Sequence, residues 1–557
     1  IIVMKKIIYA VVLSTFIYTS GYYVWVGSSP IQFKDESYQS GVASEGVNSS
    51  GPTFIDYDND GDIDIYVVTE YHGEGQGNRL FENQGNRIFI DVASIRGVDN
   101  ENALGRGASW GDYDNDGDMD LAISNLPPTD KSTHIPTTLY KNLLKETGEP
   151  NFENVTNEAQ LFRKGNENDR KIGGIGNTGA GIAWADYDND GDLDLYWKCA
   201  DFDIDSALFR NNGDGTFTDV TDETGAGVLQ FVLEANSQGA PSWTDVDHDG
   251  YIDLLVTNEG DKKILFLNDQ KGSFKNITNS FRPPSGVAFL NPGNANGACI
   301  GDIDNDGDMD VFLPTADQAN RLYISLLKDT GQLSYKDITL SSGVGHKSGA
   351  RGCAMGDFDN DGLIDIYVNN GGLADTLIND VIDIPIFVQF YIAIEPDVNK
   401  LFRNNGDLTF SDLTWRSRAS GYGVGSGVGT ADLDEDGFLD IFFTNRTFYT
   451  GGEQITESDR NYLLFNKGNK NNWLKIELIG TDSNTNGYGA RVSVASNDLT
   501  LYREATSAHG YNSGNDPRIH FGLGEKDSVD FIEVIWPSGK KSKLLNPSIN
   551  QTVIIKE

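Results

Sequence analysis

The sequence predicts an all-β protein built from repeated four-stranded units, and three observations carry that prediction. A nine-residue motif, Asp-x-Asp-x-Asp-Gly-x-x-Asp, occurs seven times, beginning at Asp56, Asp112, Asp186, Asp245, Asp302, Asp357 and Asp432. The motif starts are 56, 74, 59, 57, 55 and 75 residues apart, a recurring period near 56 that marks a repeat architecture. Glycine is frequent (63 of 557 residues), aromatics reach 11% and methionine is scarce at 4, which suits a turn-rich β protein with a packed core.

Each motif has the residues a hard cation needs. Carboxylates at positions 1, 3, 5 and 9 turn inward, and glycine at 6 allows the sharp turn that brings the carbonyl of position 7 to the same point. In the first loop these positions are Asp56, Asp58, Asp60, Asp62 and Asp64, and in the second Asp112, Asp114, Asp116, Asp118 and Asp120. The third has Asp186, Asp188, Asp190, Asp192 and Asp194, and the fourth Asp245, Asp247, Asp249, Tyr251 and Asp253. The fifth has Asp302, Asp304, Asp306, Asp308 and Asp310, and the sixth Asp357, Asp359, Asp361, Leu363 and Asp365. The seventh has Asp432, Asp434, Asp436, Phe438 and Asp440. Tyr251, Leu363 and Phe438 stand where the other loops have Asp, but only a carbonyl is required there. An EF-hand needs a bidentate Glu at position 12. Val67, Ile123, Trp197, Val256, Leu313, Val368 and Phe443 hold that place, so an EF-hand is excluded. The expected cofactor is calcium, up to seven ions, in a structural role.

The elements follow in chain order. Residues 1–29 read as a signal peptide or N-terminal anchor, because Met4-Lys5-Lys6 precedes a long uncharged run. Within each period a small-residue strand comes first, as in Gly107-Ala108-Ser109-Trp110-Gly111. Glycine stands five residues before the first Asp at Gly51, Gly107, Gly181, Gly297, Gly352 and Gly427, with Ala240 in the remaining copy. Such residues belong where strands crowd around an axis. After the loop comes an apolar strand such as Ile63-Asp64-Ile65-Tyr66-Val67-Val68. The third resembles Leu80-Phe81-Glu82-Asn83, and the fourth Thr216-Phe217-Thr218-Asp219-Val220-Thr221. Four short strands per period describe one blade, so residues 30–466 are expected to form a seven-bladed β-propeller. The last unit lacks its fourth strand, and Ile31-Gln32-Phe33-Lys34-Asp35-Glu36-Ser37 supplies it from the other end, closing the ring. Two units are lengthened by insertions, at 127–138 with 162–179, and around the apolar run 384–394. That run reads either as a strand tucked on its own blade or as a self-assembly surface. From 467 to 557 the repeat is gone. Six short strands (473–478, 490–495, 499–504, 519–521, 531–536 and 552–555) suggest a small β-sandwich or barrel.

The formal charge of −40 is largely loop chemistry, since seven calcium ions would leave about −26. No basic stripe is present, which excludes nucleic acid as a partner. Cys299 lies three residues before its loop and Cys353 four, an offset that places them on opposite faces of neighbouring strands, so no disulfide is expected. The histidines, His72, His134, His248, His346, His509 and His520, show no metal-ligand spacing, and His248 reads as a surface replacement for Asn. Arg106 and Arg351 stand at the entry of inner strands. They read either as partners of loop carboxylates or as contacts for an anionic sugar at the axial mouth. Asn48, Asn154, Asn276, Asn445 and Asn550 open N-x-[ST] sequons.

The seven loops with their Phe and Gly phrases resemble the FG-GAP/VCBS repeats of integrin-α-type propellers. The C-terminal stretch looks like the ASPIC/UnbV domain, through Asn472-Trp473-Leu474, Gly489-Ala490-Arg491-Val492, His520-Phe521-Gly522-Leu523-Gly524 and Trp536-Pro537-Ser538-Gly539. The combination is similar to the cartilage-acidic-protein-like family of secreted proteins. The resemblance implies extracellular calcium binding and, by analogy, adhesion or matrix contact. The expected function is that of an exported adhesion, matrix or assembly module at the cell surface or beyond. Its partner would be an extracellular glycan, matrix or protein ligand. The alternatives are a calcium-dependent polysaccharide lyase or hydrolase, and the structural subunit of an extracellular filament.

Overall fold

The computed structural model describes residues 29–70, 77–101, 103–126, 137–161, 179–199, 206–228, 239–258, 263–278, 293–347, 349–371, 398–446, 449–450, 453–454 and 460–557. The N-terminal segment, nearly all of both insertions of the second unit and the run 384–394 lie outside them. Among the described residues, seven four-stranded antiparallel sheets each carry one Asp loop between the first and second strands. The first sheet orders Ser49–Ile55, Asp64–Thr69, Arg79–Asn83 and Phe89–Asp91.

Apolar faces bind each sheet to the next. Tyr66 and Val68 of the first sheet pack with Trp110 and Leu121 of the second. Similar clusters join each later pair, and one holding Phe54, Ile65, Phe442 and Phe465 joins the seventh sheet to the first. The sheets therefore form a closed ring, a β-propeller. In the seventh blade the outermost place is taken by Phe33–Asp35, paired with Tyr462–Asn466. Ser37 there repeats the role of the Phe-x-Asp-Val-Thr threonine. Leu463 N donates to Ser37 Oγ at 2.9 Å, as Leu208 N donates to Thr221 Oγ1 at 3.0 Å.

The C-terminal region is a two-sheet β domain. One sheet orders Ile519–Gly524, Asn472–Ile479 and Thr552–Lys556, the last pair parallel. The other orders Leu499–Glu504, Arg491–Ser496, Phe531–Ile535 and Lys541–Leu545. The strand Lys541–Leu545 is not among the six expected. It is a lysine-bearing edge strand whose residues are mostly exposed, so no buried face imposes an alternating pattern.

A loop of this domain fills the propeller axis. Gly510 N donates to Ala298 O at 2.9 Å, Gly514 N to Pro52 O at 3.0 Å, Asp516 N to Thr430 O at 2.9 Å, and Ser507 Oγ to Trp184 O at 2.6 Å. Tyr511, at its tip, is fully buried. The inner-strand glycines make room for this loop as well as for one another. A Cβ on Gly51 would lie 1.6 Å from Asn512 O, and one on Gly297 2.5 Å from Gly510 C.

Cys299 and Cys353 form a disulfide, with Cα atoms 6.1 Å apart, contrary to expectation. The alternation rule was applied as if both lay in one sheet. They belong to inner strands of adjacent blades packed face to face, where opposite faces of successive strands confront each other. Cys199 is buried and lies outside this disulfide.

Substituting Gly51→Val should expel the axial loop. The expected outcome is a lower melting temperature with new protease cleavage within residues 505–518. A variant that melts and resists cleavage like the parent would show that the loop does not depend on the close approach.

Candidate metal centres

The seven loops share one hydrogen-bond scheme. In the first, Asp60 N and Gly61 N donate to the two oxygens of Asp56 at 3.0 and 2.9 Å, and Asp62 N donates to Asp60 Oδ1 at 2.9 Å. The position-9 carboxylate ties the loop to the sheet. Tyr57 N donates to Asp64 Oδ2 at 3.4 Å, and Asn83 N to Asp64 Oδ1 at 2.7 Å. Positions 1, 5 and 9 thus each accept backbone N–H groups. Position 3 is different. Oδ1 of Asp58, Asp114, Asp188, Asp247, Asp359 and Asp434 is buried with no hydrogen-bond partner. A buried anionic oxygen without a donor is costly unless a cation meets it. In at least four loops the carboxylates of positions 1, 3 and 9 bring ligand atoms within 4.8 Å of one another: Asp56, Asp58 and Asp64; Asp112, Asp114 and Asp120; Asp186, Asp188 and Asp194; Asp245, Asp247 and Asp253. The donor set is all oxygen, as calcium prefers.

Two features that the sequence reading missed lace the loops into a ring. Asparagine ends the third strand in six blades. Asn211 Nδ2 donates to Leu193 O of its own loop at 3.1 Å and to Tyr113 O of the preceding loop at 2.7 Å. Asn83, Asn142, Asn268, Asn404 and Asn466 repeat both bonds, and Asn83 reaches Leu433 O across the closure of the ring. Ser325 holds this place in the fifth blade, donating its N–H to the position-9 carboxylate Asp310 at 2.8 Å and its hydroxyl to the position-7 carboxylate Asp308 at 3.4 Å. The second feature is position 4, left-handed in every loop, with φ from 55° at Asn360 to 61° at His248. Asparagine tolerates that conformation, and its side chain reaches forward. Asn189 Nδ2 donates to Gly250 O at 2.9 Å and Asn360 Nδ2 to Gly437 O at 3.0 Å. His248 stands in for Asn at this position, as expected, but it is more than a surface residue. It is partly buried and directs Nδ1 toward Asp308 of the next loop, 3.7 Å away. The recurring Asn of the third-strand phrase was the available signal, but only the fold shows that it spans two loops.

Without a bound cation the carboxylates are electrostatically strained. Burial, then neighbouring Asp charges, pushes Asp58 up to about 6. Burial first also raises Asp432 to about 7 and Asp64 to about 9. Asp120, Asp194, Asp310, Asp365 and Asp440 lie well above the usual carboxylate range for the same reason.

The C-terminal domain sits on the loop face. Arg491 Nη2 donates to Gly307 O at 2.7 Å, Asn486 Oδ1 accepts from Asp112 N at 3.0 Å, and Lys475 Nζ donates to Asp432 Oδ2 at 2.7 Å. His520 Nε2 is 3.1 Å from Gly437 O, and His509 Nε2 is 2.9 Å from Thr506 Oγ1; burial holds both rings near pKa 4. Arg106 meets no loop carboxylate, and Arg351 stands at the matching place in its own blade. Both are buried, and Arg106 pairs with Glu70 and reaches Tyr511 Oη at 3.5 Å. Each inner strand starts at the far end of its blade, roughly 3.3 Å per residue from the loop, so loop carboxylates are out of reach and the axial loop covers the mouth.

Removing the third-strand amide should loosen two blades at once. Asn211→Ala leaves two buried carbonyls without their donor, and a loss of about 1–3 kcal/mol is expected in denaturant unfolding. A change within error would show that these bonds do not hold the ring.

Residues 480–557 match the family described as ASPIC and UnbV, and residues 56–123, 245–313 and 302–368 match the FG-GAP-like repeat. Cartilage acidic protein 1 of Xenopus tropicalis is 24% identical over 518 residues, which cover 88% of this chain and 70% of that protein. The Homo sapiens protein of the same name is 28% identical over 301 residues, covering 52% of this chain and only 39% of its own length. Among solved structures, an Agrocybe aegerita lectin that recognises non-reducing terminal N-acetylglucosamine superposes with a TM-score of 0.38 at 18% identity, covering 66% of this chain and 80% of that one. The chain carries FG-GAP-like repeats and a C-terminal ASPIC and UnbV region, and it is similar to cartilage acidic protein 1.

Proposed function

We propose that this protein is an extracellular, calcium-pinned propeller that acts as an adhesion, matrix or assembly module. The observation that carries the calcium reading is the buried position-3 oxygen left without a donor in six loops. Each ion would be held by the position 1, 3, 5 and 9 carboxylates and the position 7 carbonyl, where it supplies the missing positive charge. Similarity to cartilage acidic protein 1 supports the extracellular, matrix-type role. The loop face is covered by the C-terminal domain and the axis by its loop, so the partner surface is assigned to the opposite face and the rim. The second strands of the second and sixth blades end on that side, directly before the insertion at 127–138 and the one that holds 384–394. The burial of Arg106 and Arg351, with Arg106 paired to Glu70, speaks against the sugar contacts that the lyase or hydrolase reading needs.

Retention of the purified chain on immobilised matrix glycans and proteins, with calcium and with chelator, tests the binding role. Capture under neither condition sinks it. Chelation should also lower the melting temperature, and an unchanged value would overturn the calcium reading. The pH dependence has a definite sign. Without metal, the folded chain holds its loop protons more tightly than the unfolded chain, whose Asp groups titrate near 3.8, so stability falls as pH rises from about 4 through 6 to 9. Calcium needs the ionised form, so affinity rises over the same window. The melting temperature in chelator should therefore increase from pH 8 to pH 5, while the stabilisation added by calcium shrinks.

A further inference from the structure

The outer oxygen of the position-3 carboxylate divides the seven loops into two kinds. In the second loop, Lys141 Nζ pairs with Asp114 Oδ2, with Asp116 at 3.3 Å and with Glu146 at 2.6 Å. In the sixth, Arg403 Nε donates to Asp359 Oδ2 at 2.6 Å, and its guanidinium also pairs with Asp361. Lys141 and Arg403 occupy the same place in the repeat, one residue before the third-strand asparagine. In the seventh loop the cation comes from the next blade: Arg87 Nε donates to Asp434 Oδ2 at 2.6 Å. Lys475, 1% exposed, adds a second charge on Asp432. In all three loops the inner oxygen of the position-3 carboxylate stays buried and unpartnered.

The other four loops have no cationic side chain on that carboxylate among the described residues. Glu82, Leu267 and Ile324 hold the repeat position in the first, fourth and fifth blades. Arg210 holds it in the third, where it reaches Glu223 at 3.7 Å and acts on Asp188 through space, without a direct ion pair.

We propose that these resident cations grade the calcium loops: the first, third, fourth and fifth bind tightly and depend on the ion, while the second, sixth and seventh bind more weakly and stay closed without it. The inference rests on the calcium reading above. The cation lowers the negative charge offered to the ion, and charge count with site rigidity sets affinity in oxygen-ligand loops. The same contact holds the outer oxygen in place, so the loop keeps its shape when metal leaves.

Native mass spectrometry of the whole chain across a free-calcium series tests this. Two classes of site are expected, four filling first and three filling at calcium concentrations on the order of tenfold higher or more. Lys141→Met should move one site into the tight class, and Leu267→Lys should move one into the weak class. Seven sites filling together, or substitutions that leave the classes unchanged, would overturn the grading while leaving the calcium reading intact. Absence of any bound calcium would overturn both. Because the two substitutions shift the count in opposite directions, a general loss of folding cannot imitate the pattern.

Discussion

The structure depends on the asparagine that ends the third strand. Blades of a propeller share no backbone ladder, so apolar packing alone would let one sheet slide over the next. Asn142 shows how this is prevented. Its backbone N–H holds the position-9 carboxylate of Asp120, and its amide joins the carbonyl of Met119 to that of Tyr57 in the preceding blade. Position 4 runs the other way, from Asn305 forward to Gly362 and from Asn360 forward to Gly437. Each loop is therefore held by neighbours on both sides, and loop geometry becomes a property of the ring.

Gathering four carboxylates at each inter-strand turn has an electrostatic cost that the backbone hydrogen bonds only partly offset. Burial alone would drive protons onto Asp64 and its counterparts. Two kinds of positive charge can answer it. Solvent cations are one. Side chains of the protein are the other, as Lys141, Arg403, Arg87 and Lys475 show. Lys475 belongs to the C-terminal domain, so docking of that domain and neutralisation of the seventh loop are the same contact.

Much of this was legible in the sequence because it follows from local pattern. The seven loops, the four strands per period and the N-terminal phrase that takes the last blade's outer place are all carried by spacing and turn chemistry. What escaped was non-local. The Cys299–Cys353 pair was misjudged because alternation within a sheet says nothing about which faces of two sheets meet. The strand Lys541–Leu545 escaped because an exposed edge leaves no hydrophobic period. Arg106 was assigned to loop carboxylates or to an anionic sugar at the axial mouth because Glu70 and Tyr511, its neighbours in space, are distant in sequence. The axial loop was invisible for the same reason, although its imprint was present. The inner-strand glycines were read as crowding between strands, but Gly51 and Gly297 also admit Asn512 and Gly510.

That imprint constrains where recognition can occur. A propeller with an open axis offers a central mouth on either face. Here the C-terminal domain occupies the loop face and sends Tyr511 down the axis until it meets Arg106 near the far end. The charged groups gathered there, Glu70, Arg106 and Arg446, are largely spent on one another. A ligand approaching the centre would have to displace an ordered loop that is hydrogen-bonded to at least four blades. The axial loop is thus part of the ring it fills: the contacts that close the central mouth are the same ones that dock the C-terminal domain onto the blades.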